Sequence, residues 1–277
     1  MSVHHAEQKG KEWYKMKTLK SMRSNPLYMT SLILAGNGKL LDFLDDKTGI
    51  WTRYAQYNTR AILDCPFRSK GCERICYATK GNHTKPSVKG SRIHSAEESH
   101  REDFTEAIVY TVRVEKQSKR YKDAIMLIRI HESGDFYSLQ YLRKWVWAWN
   151  ELEHDDGVQF VFYTKSFPFF LMLTDEEKGI INRMLSSGKL AINWSIDDTT
   201  SQEQKLAYLK CVATFPKANT YICTEHVEDV EHDNVCDCAD CAKCGTCNKG
   251  TGKKTVVKIH SASKADMVEY RKNKAEA

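Results

Sequence analysis

A chain of 277 residues that is 41% hydrophobic and 28% charged can build its own core and needs no disulfide staples. Its formal net charge is a modest +6. No stretch approaches the apolar length that crosses a bilayer, and Met1-Ser2-Val3-His4-His5 begins no apolar signal segment, so a cytoplasmic location with reduced thiols is expected. Ten cysteines in that setting argue for metal ligation over a disulfide framework.

Residues 1–30 read as a basic N-terminal arm. Lys9, Lys11, Lys15, Lys17, Lys20 and Arg23 face one acid, Glu12, over residues 9–23. Such an arm could touch a phosphate backbone, although a solvated terminal face is the plainer reading. Residues 31–277 read as a single α/β barrel-like domain. Leu27–Leu34 suggests a strand before an Asn37-Gly38 turn. Residues 93–115 read as a helix through Ile93, Phe104, Ile108 and Val112.

From residue 124 the pattern is regular. Short runs rich in β-branched and aromatic residues predict strands at 124–130, 158–163, 190–194, 219–223 and 255–259. Helices fall between them. Leu142, Trp145, Val146, Trp149 and Leu152 repeat at helical spacing, which places Trp145 and Trp149 in the core and leaves Trp147 pointing elsewhere. Thr174 and Glu177 form a capping box before Ile180, Ile181, Met184 and Leu185. Ser201 and Gln204 suggest another before Leu206, Leu209 and Val212, and Ser263 with Asp266 starts a terminal helix. Alternating strand and helix implies right-handed crossovers, a parallel sheet and a full or partial (β/α) barrel. Residues 224–254 replace the helix expected before the last strand and read as a cysteine-rich insertion, acidic over 225–242.

In parallel α/β folds ligands bind at the carboxyl ends of the strands. Here those ends carry His131, Glu132 and Asp135, then Lys165, then Asp197 and Asp198, then Glu225 and His226, and finally His260. His131 beside two carboxylates suits general acid–base work, and Lys165 suits holding a phosphate or carboxylate. Each residue alone reads equally as a cap or turn residue; five strands ending alike carry the argument.

Eight cysteines form two groups: Cys65-x6-Cys72-x3-Cys76, and Cys236-x-Cys238-x2-Cys241-x2-Cys244-x2-Cys247. Cys211 and Cys223 stand apart and read as core. Repeated C-x2-C spacing suits zinc, yet five thiolates exceed one tetrahedral site, and such loops also wrap [4Fe–4S] clusters. The second group therefore implies an iron–sulfur cluster or zinc. Three thiolates in the first group would leave one iron of a [4Fe–4S] cluster open, as radical S-adenosylmethionine enzymes do. Their C-x3-C-x2-C loop is matched only in part, since position 79 is Thr. A zinc site completed by His83 or His94 is the alternative.

Asn37-Gly38-Lys39-Leu40, Cys65-Pro66, Cys72, Cys76-Tyr77-Ala78, the run from Arg129 to Phe136, Tyr163-Thr164-Lys165-Ser166, Cys244-Gly245-Thr246-Cys247 and Ile259-His260 together resemble the phage- and plasmid-borne gene-product-88 family. The resemblance spans roughly residues 30–260 and implies a mobile-element protein acting in a bacterial host, with no established reaction. The loop ending in Cys-Tyr-Ala is similar to that of another phage family regarded as radical-SAM-like, where the last spacing is C-x2-C.

The resulting expectation is an iron–sulfur enzyme, radical-SAM-like, with S-adenosylmethionine as a candidate cofactor. Cys65, Cys72 and Cys76 would hold the cluster, and His131, Glu132, Asp135, Lys165, Asp197, Glu225 and His260 would line the pocket. The rival is a zinc-stabilised nucleic-acid-binding protein, and a third reading is a barrel that keeps metal for stability alone. No dinucleotide fingerprint or phosphate-binding loop supports nicotinamide or ATP chemistry.

Overall fold

The computed structural model describes residues 18–34, 42–224, 233–236, 246–248, 251–258 and 264–275. Residues 1–17 of the basic arm, the Asn37-Gly38 turn, Cys238, Cys241, Cys244, Glu225, His226 and His260 lie outside them.

One mixed α/β sheet organises these residues. A short helix α1 (Leu19–Arg23) precedes the edge hairpin of β1 (Phe43–Leu44) and β2 (Trp51–Tyr57). Then come α2 (Lys70–Ile75), α3 (Pro86–Ser99), α4 (Phe104–Lys116), β3 (Ala124–Ile130), α5 (Leu139–Glu151), β4 (Val158–Thr164), α6 (Phe167–Leu171), α7 (Asp175–Ser186) and β5 (Leu190–Asp197). α8 (Gln202–Thr214), β6 (Asn219–Thr224), β7 (Asn234–Cys236), β8 (Lys254–Lys258) and α9 (Lys264–Ala275) complete the order. The strands line up as β1-β2-β3-β4-β5-β6-β8-β7, with every pairing parallel except β1 with β2. Among the described residues the sheet is thus an open, curled half-barrel that ends at β1 and β7 rather than a closed barrel.

Winding in a single direction puts the helices on one face. Along each strand the side chains alternate accordingly. Tyr57, Ile128, Ile130, Phe160, Phe162, Ile192 and Trp194 enter a core shared with Phe104, Trp145, Trp149 and Phe170. Tyr54, Leu127, Val161 and Ala191 form a small apolar cluster on the opposite face. A 3-10 turn, Thr246–Asn248, lies over that second face. Asn193 Nδ2 donates to Cys247 O at 2.9 Å, and Asn248 Nδ2 to the Tyr54 hydroxyl at 2.9 Å.

Several expectations hold in detail. The Thr174–Glu177 capping box is present in both directions. Trp145 and Trp149 are fully buried and Trp147 is exposed. Others need correction. Leu27–Leu34 forms no strand. Asn25 turns the chain, its side chain accepting the Leu27 N–H, and Met29 and Leu32 drop into the core, leaving one bridge from Ile33 to Gln56. The helix expected over 93–115 breaks at 100–103, where Arg101 pairs with Asp103, and α4 restarts at the buried Phe104. Ser201 caps α8, but Gln204 does not reciprocate: its amide reaches Phe67 O at 2.5 Å. Leu206 and Leu209 are exposed, and Tyr208, Cys211 and Phe215 make the buried stripe instead. Within the expected insertion over 224–254, the described residues add β7 to the sheet edge, parallel to β8.

Candidate functional site

The carboxyl ends of the parallel strands share one mouth. The first cysteine group enters it on the loop after β2. Asp64 anchors that loop, accepting from Arg60 N at 2.7 Å and from the Arg60 guanidinium at 2.7 Å. Ser69 then caps α2, its hydroxyl accepting the Cys72 N–H at 3.1 Å. Cys76 closes α2 and leads into the turn Tyr77–Thr79.

Cys65, Cys72 and Cys76 are free thiols within electrostatic reach of one another. Burial raises the pKa of all three. Cys72 reaches about 11, burial being the largest cause, with Lys165 opposing it and Asp197, Cys76 and Asp135 reinforcing it. The Cys65 thiol is raised by burial and then by Asp135, against a hydrogen bond from the Ile62 backbone. For Cys76, burial is opposed by backbone hydrogen bonds from Ala78 and Thr79. Cys223, read from the sequence as core, belongs here too. Burial pushes it to about 12, and Lys165, Asp197 and Cys72 all act on it. Cys211 does stay in the core, with its thiol directed at Phe167 O.

Lys165 and Asp197 form the charged centre of this mouth. Nζ lies 2.8 Å from Asp197 Oδ2 and donates to Ser195 O at 3.1 Å. The same carboxylate oxygen accepts the Ser69 hydroxyl at 2.6 Å, while Oδ1 accepts Thr199 N and Oγ1 at 2.8 and 2.6 Å. Burial opposes both charges, and their attraction outweighs it, holding Lys165 above and Asp197 below the ordinary values. The Lys165 ammonium is therefore committed to a protein carboxylate rather than presented to a ligand. Asp197 in turn fixes the N-terminus of α2, and Thr199 Oγ1 accepts Gly71 N at 2.9 Å.

The run His131–Asp135 clamps the cysteine loop from the other side. Asn58 Oδ1 accepts Glu132 N at 2.7 Å, Thr59 N donates to Ser133 O at 3.0 Å, and Asp135 N donates to Asp64 O at 2.9 Å. The Tyr77 hydroxyl donates to Glu132 O. Gly134 has φ +85°, and a Cβ there would stand 1.9 Å from Thr59 Oγ1. Among the described residues only Ile62 and His131 are non-glycines with positive φ, at 68° and 61°, one in each loop. Backbone strain thus gathers where the two loops meet, as it does at functional sites.

His131 is not at the mouth. Its ring lies edge-on to Phe136 and against Tyr141, with Nε2 3.0 Å from the Tyr141 hydroxyl and Nδ1 buried without a partner. Burial lowers its pKa to about 3, so it is neutral. Asp135 is raised to about 6 by burial, against hydrogen bonds from Thr164, Lys165 N and Phe136 N. It braces the end of β4. Glu132 is half-buried and keeps its carboxylate near Arg92 and Arg129.

Neither histidine proposed to complete a zinc site joins the cysteines. His83 Nδ1 takes the Arg92 guanidinium at 2.7 Å, and His94 Nε2 lies 3.0 Å from Thr30 Oγ1 and 3.8 Å from Glu98. Among the described residues no three His, Cys, Asp or Glu side chains converge as the ligands of a single ion would. Cys247 of the second group lies on the helix-free face beside the Tyr163 hydroxyl, and Cys236 ends β7.

A family model described as Gene product 88 matches residues 31–250. The chain belongs to the gene product 88 family. Two relatives, each named Gene 88 protein, come from Mycobacterium phage L5 and Mycobacterium phage D29. They are 31% identical over 109 residues and 30% identical over 108, covering 37% of this chain and 43% of each relative. The chain thus matches under half the length of these curated relatives. No solved structure matches it. The family match takes in the cysteine loop, its clamp and the Lys165–Asp197 pair, and ends before β8 and α9.

Sequence patterns missed Asn58, Thr59, Asp64, Ser69, Thr199 and Arg92, the residues that hold the loop. Only Ser69, placed three residues before Cys72 like an N-cap, carried a readable signal.

Proposed function

We propose that this gene product 88 protein is an iron–sulfur enzyme, radical-SAM-like, in which Cys65, Cys72 and Cys76 hold a [4Fe–4S] cluster at the mouth of the half-barrel. One observation carries the reading: three free thiols share the loop after the first parallel strand and lie within electrostatic reach at the carboxyl ends. Buried thiols with raised pKa values need a compensating cation to ionise, and bound iron would supply it.

Three cysteines suit a [4Fe–4S] cluster, whereas a tetrahedral zinc would need a fourth ligand, which neither His83 nor His94 supplies. Such a cluster would offer one iron free of protein ligands, able to bind S-adenosylmethionine. The chain's own contribution would be positional. The Ser69–Asp197–Lys165 network would hold Cys72, the Asn58 and Asp64 contacts would hold the loop around Cys65, and Tyr77 would lock the end of the loop to Glu132. Cys236, Cys238, Cys241, Cys244 and Cys247 would take a second cluster or a zinc ion.

The test is purification without oxygen, with an absorption spectrum and iron, sulfide and zinc analysis. The expected result is a brown protein whose iron falls by about one cluster in the Cys65→Ala/Cys72→Ala/Cys76→Ala variant. A colourless, iron-free protein that cannot be reconstituted sinks the proposal. Stoichiometric zinc with salt-dependent nucleic-acid binding would support the rival reading instead.

A further inference from the structure

Arg129 is the penultimate residue of β3. Its neighbours Ile128 and Ile130 enter the helix-side core, so its side chain projects onto the opposite, helix-free face. Its side chain is half-buried. The guanidinium carbon lies 5.3 Å from the centroid of the Tyr163 ring. Nε is buried and without a hydrogen-bond partner, and among the described residues Arg129 makes no ion pair.

That isolation is unusual for this molecule. Lys165 has Asp197, Arg92 has Ala78 O and His83, Arg60 has Asp64, and Arg53 has Asp42. An arginine carries five N–H donors and a permanent charge, and leaving such a group crowded and unpaired is costly unless something else meets it. Among the described residues, the groups that act on it are the Tyr77 and Tyr163 phenols, Glu132 and Tyr221. The Tyr77 hydroxyl already donates to Glu132 O, and Tyr163 offers its ring face, so the donors for a ligand come from the guanidinium itself.

We infer that Arg129 is the anchor for an oxyanion, a carboxylate or phosphate carried by the substrate, bound on the helix-free face of the half-barrel. The planar guanidinium, held against the Tyr163 face, presents a fork to two oxygens, which a lysine could not reproduce. Tyr77 connects this anchor to the cysteine loop. It follows Cys76 directly, bonds Glu132 O and lies within electrostatic reach of Arg129. A molecule held by its anionic end at Arg129 therefore lies beside the loop that carries the cysteines. The inference stands whether or not those cysteines bind metal.

The test titrates the full-length protein with inorganic phosphate and, separately, acetate, at ionic strength matched with chloride. Thermal melting and phenylglyoxal labelling of Arg129, read by peptide mass mapping, are followed together. One oxyanion should raise the melting temperature saturably and protect Arg129 from labelling, while chloride does neither. Arg129→Gln should weaken the response by about tenfold or more, the loss of charge-assisted hydrogen bonds, and Arg129→Lys should restore it only in part. Preference for phosphate identifies a phosphorylated substrate, and preference for acetate a carboxylate. If neither anion protects Arg129 in the wild-type chain, or if Arg129→Gln responds like wild type, the inference is overturned. Protection in an iron-free protein would reject the cluster and keep the anchor; a loaded cluster with no protection would do the reverse.

Discussion

Replacing His131 with asparagine should flatten the acid limb of the stability curve. The imidazole is buried among Phe136 and Tyr141, and its pKa falls from 6.5 to about 3 because burial penalises the charged ring. The folded chain resists the proton that the unfolded chain accepts. Stability from this group is therefore complete above pH 6.5 and is lost as pH falls through the window down to about 3. The whole shift corresponds to about 5 kcal/mol, and about 2 kcal/mol of it is spent between about pH 7 and pH 5. Asparagine tolerates the positive φ at this position and carries no proton. Urea denaturation followed by circular dichroism, at several pH values in that interval, measures both chains. The variant should start less stable, from lost ring packing, but its stability should fall by about 2 kcal/mol less on acidification. Parallel pH profiles for the two proteins would refute the reasoning.

Gly134→Ala should cost about 2–4 kcal/mol, from φ +85° and a Cβ 1.9 Å from Thr59 Oγ1, and should speed proteolysis of the cysteine loop that Thr59 begins. Lys165→Met should destabilise by about 3–5 kcal/mol, because Asp197 is left charged and buried. The Lys165→Met/Asp197→Asn double variant should recover part of that loss, so additive single effects in denaturant melts would contradict a coupled pair. Leu209→Lys should change stability by less than about 0.5 kcal/mol, since the leucine is 59% exposed, whereas Phe215→Ala should cost about 3–5 kcal/mol in the same assay.

What could be read from the sequence follows from the kind of force involved. The strands from β3 to β6 announce themselves because both faces of a parallel sheet want β-branched and aromatic residues. β2 was missed because Trp51-Thr52-Arg53-Tyr54-Ala55-Gln56-Tyr57 mixes polar residues into an edge-proximal strand. Periodicity located α8 but chose the wrong stripe. Leu206 and Leu209 are as apolar as a core demands, yet the sheet lies on the side of Tyr208 and Cys211. At the site, Asp135, Lys165 and Asp197 do meet at the strand ends, but their division of labour was not legible. Lys165 looked like a ligand-binding charge and is neutralised by Asp197; His131 looked like a base and is walled into the aromatic core. Arg129 stood out only as the start of a family landmark, because an arginine inside a strand signals no role until its missing partner is visible. Asn58, Ser69 and Thr199 are common residues whose importance lies wholly in whom they meet.

The bonds that hold the cysteine helix are separated by 128 residues, from Ser69 to Asp197 and from Gly71 to Thr199. A ribosome releases the cysteines long before it makes their supports. During synthesis the start of the cysteine helix therefore lacks these two bonds until β5 and its following turn emerge, and contacts this distant in sequence form slowly. The nascent chain has an interval in which these sulfurs are open to oxidation or to stray metal.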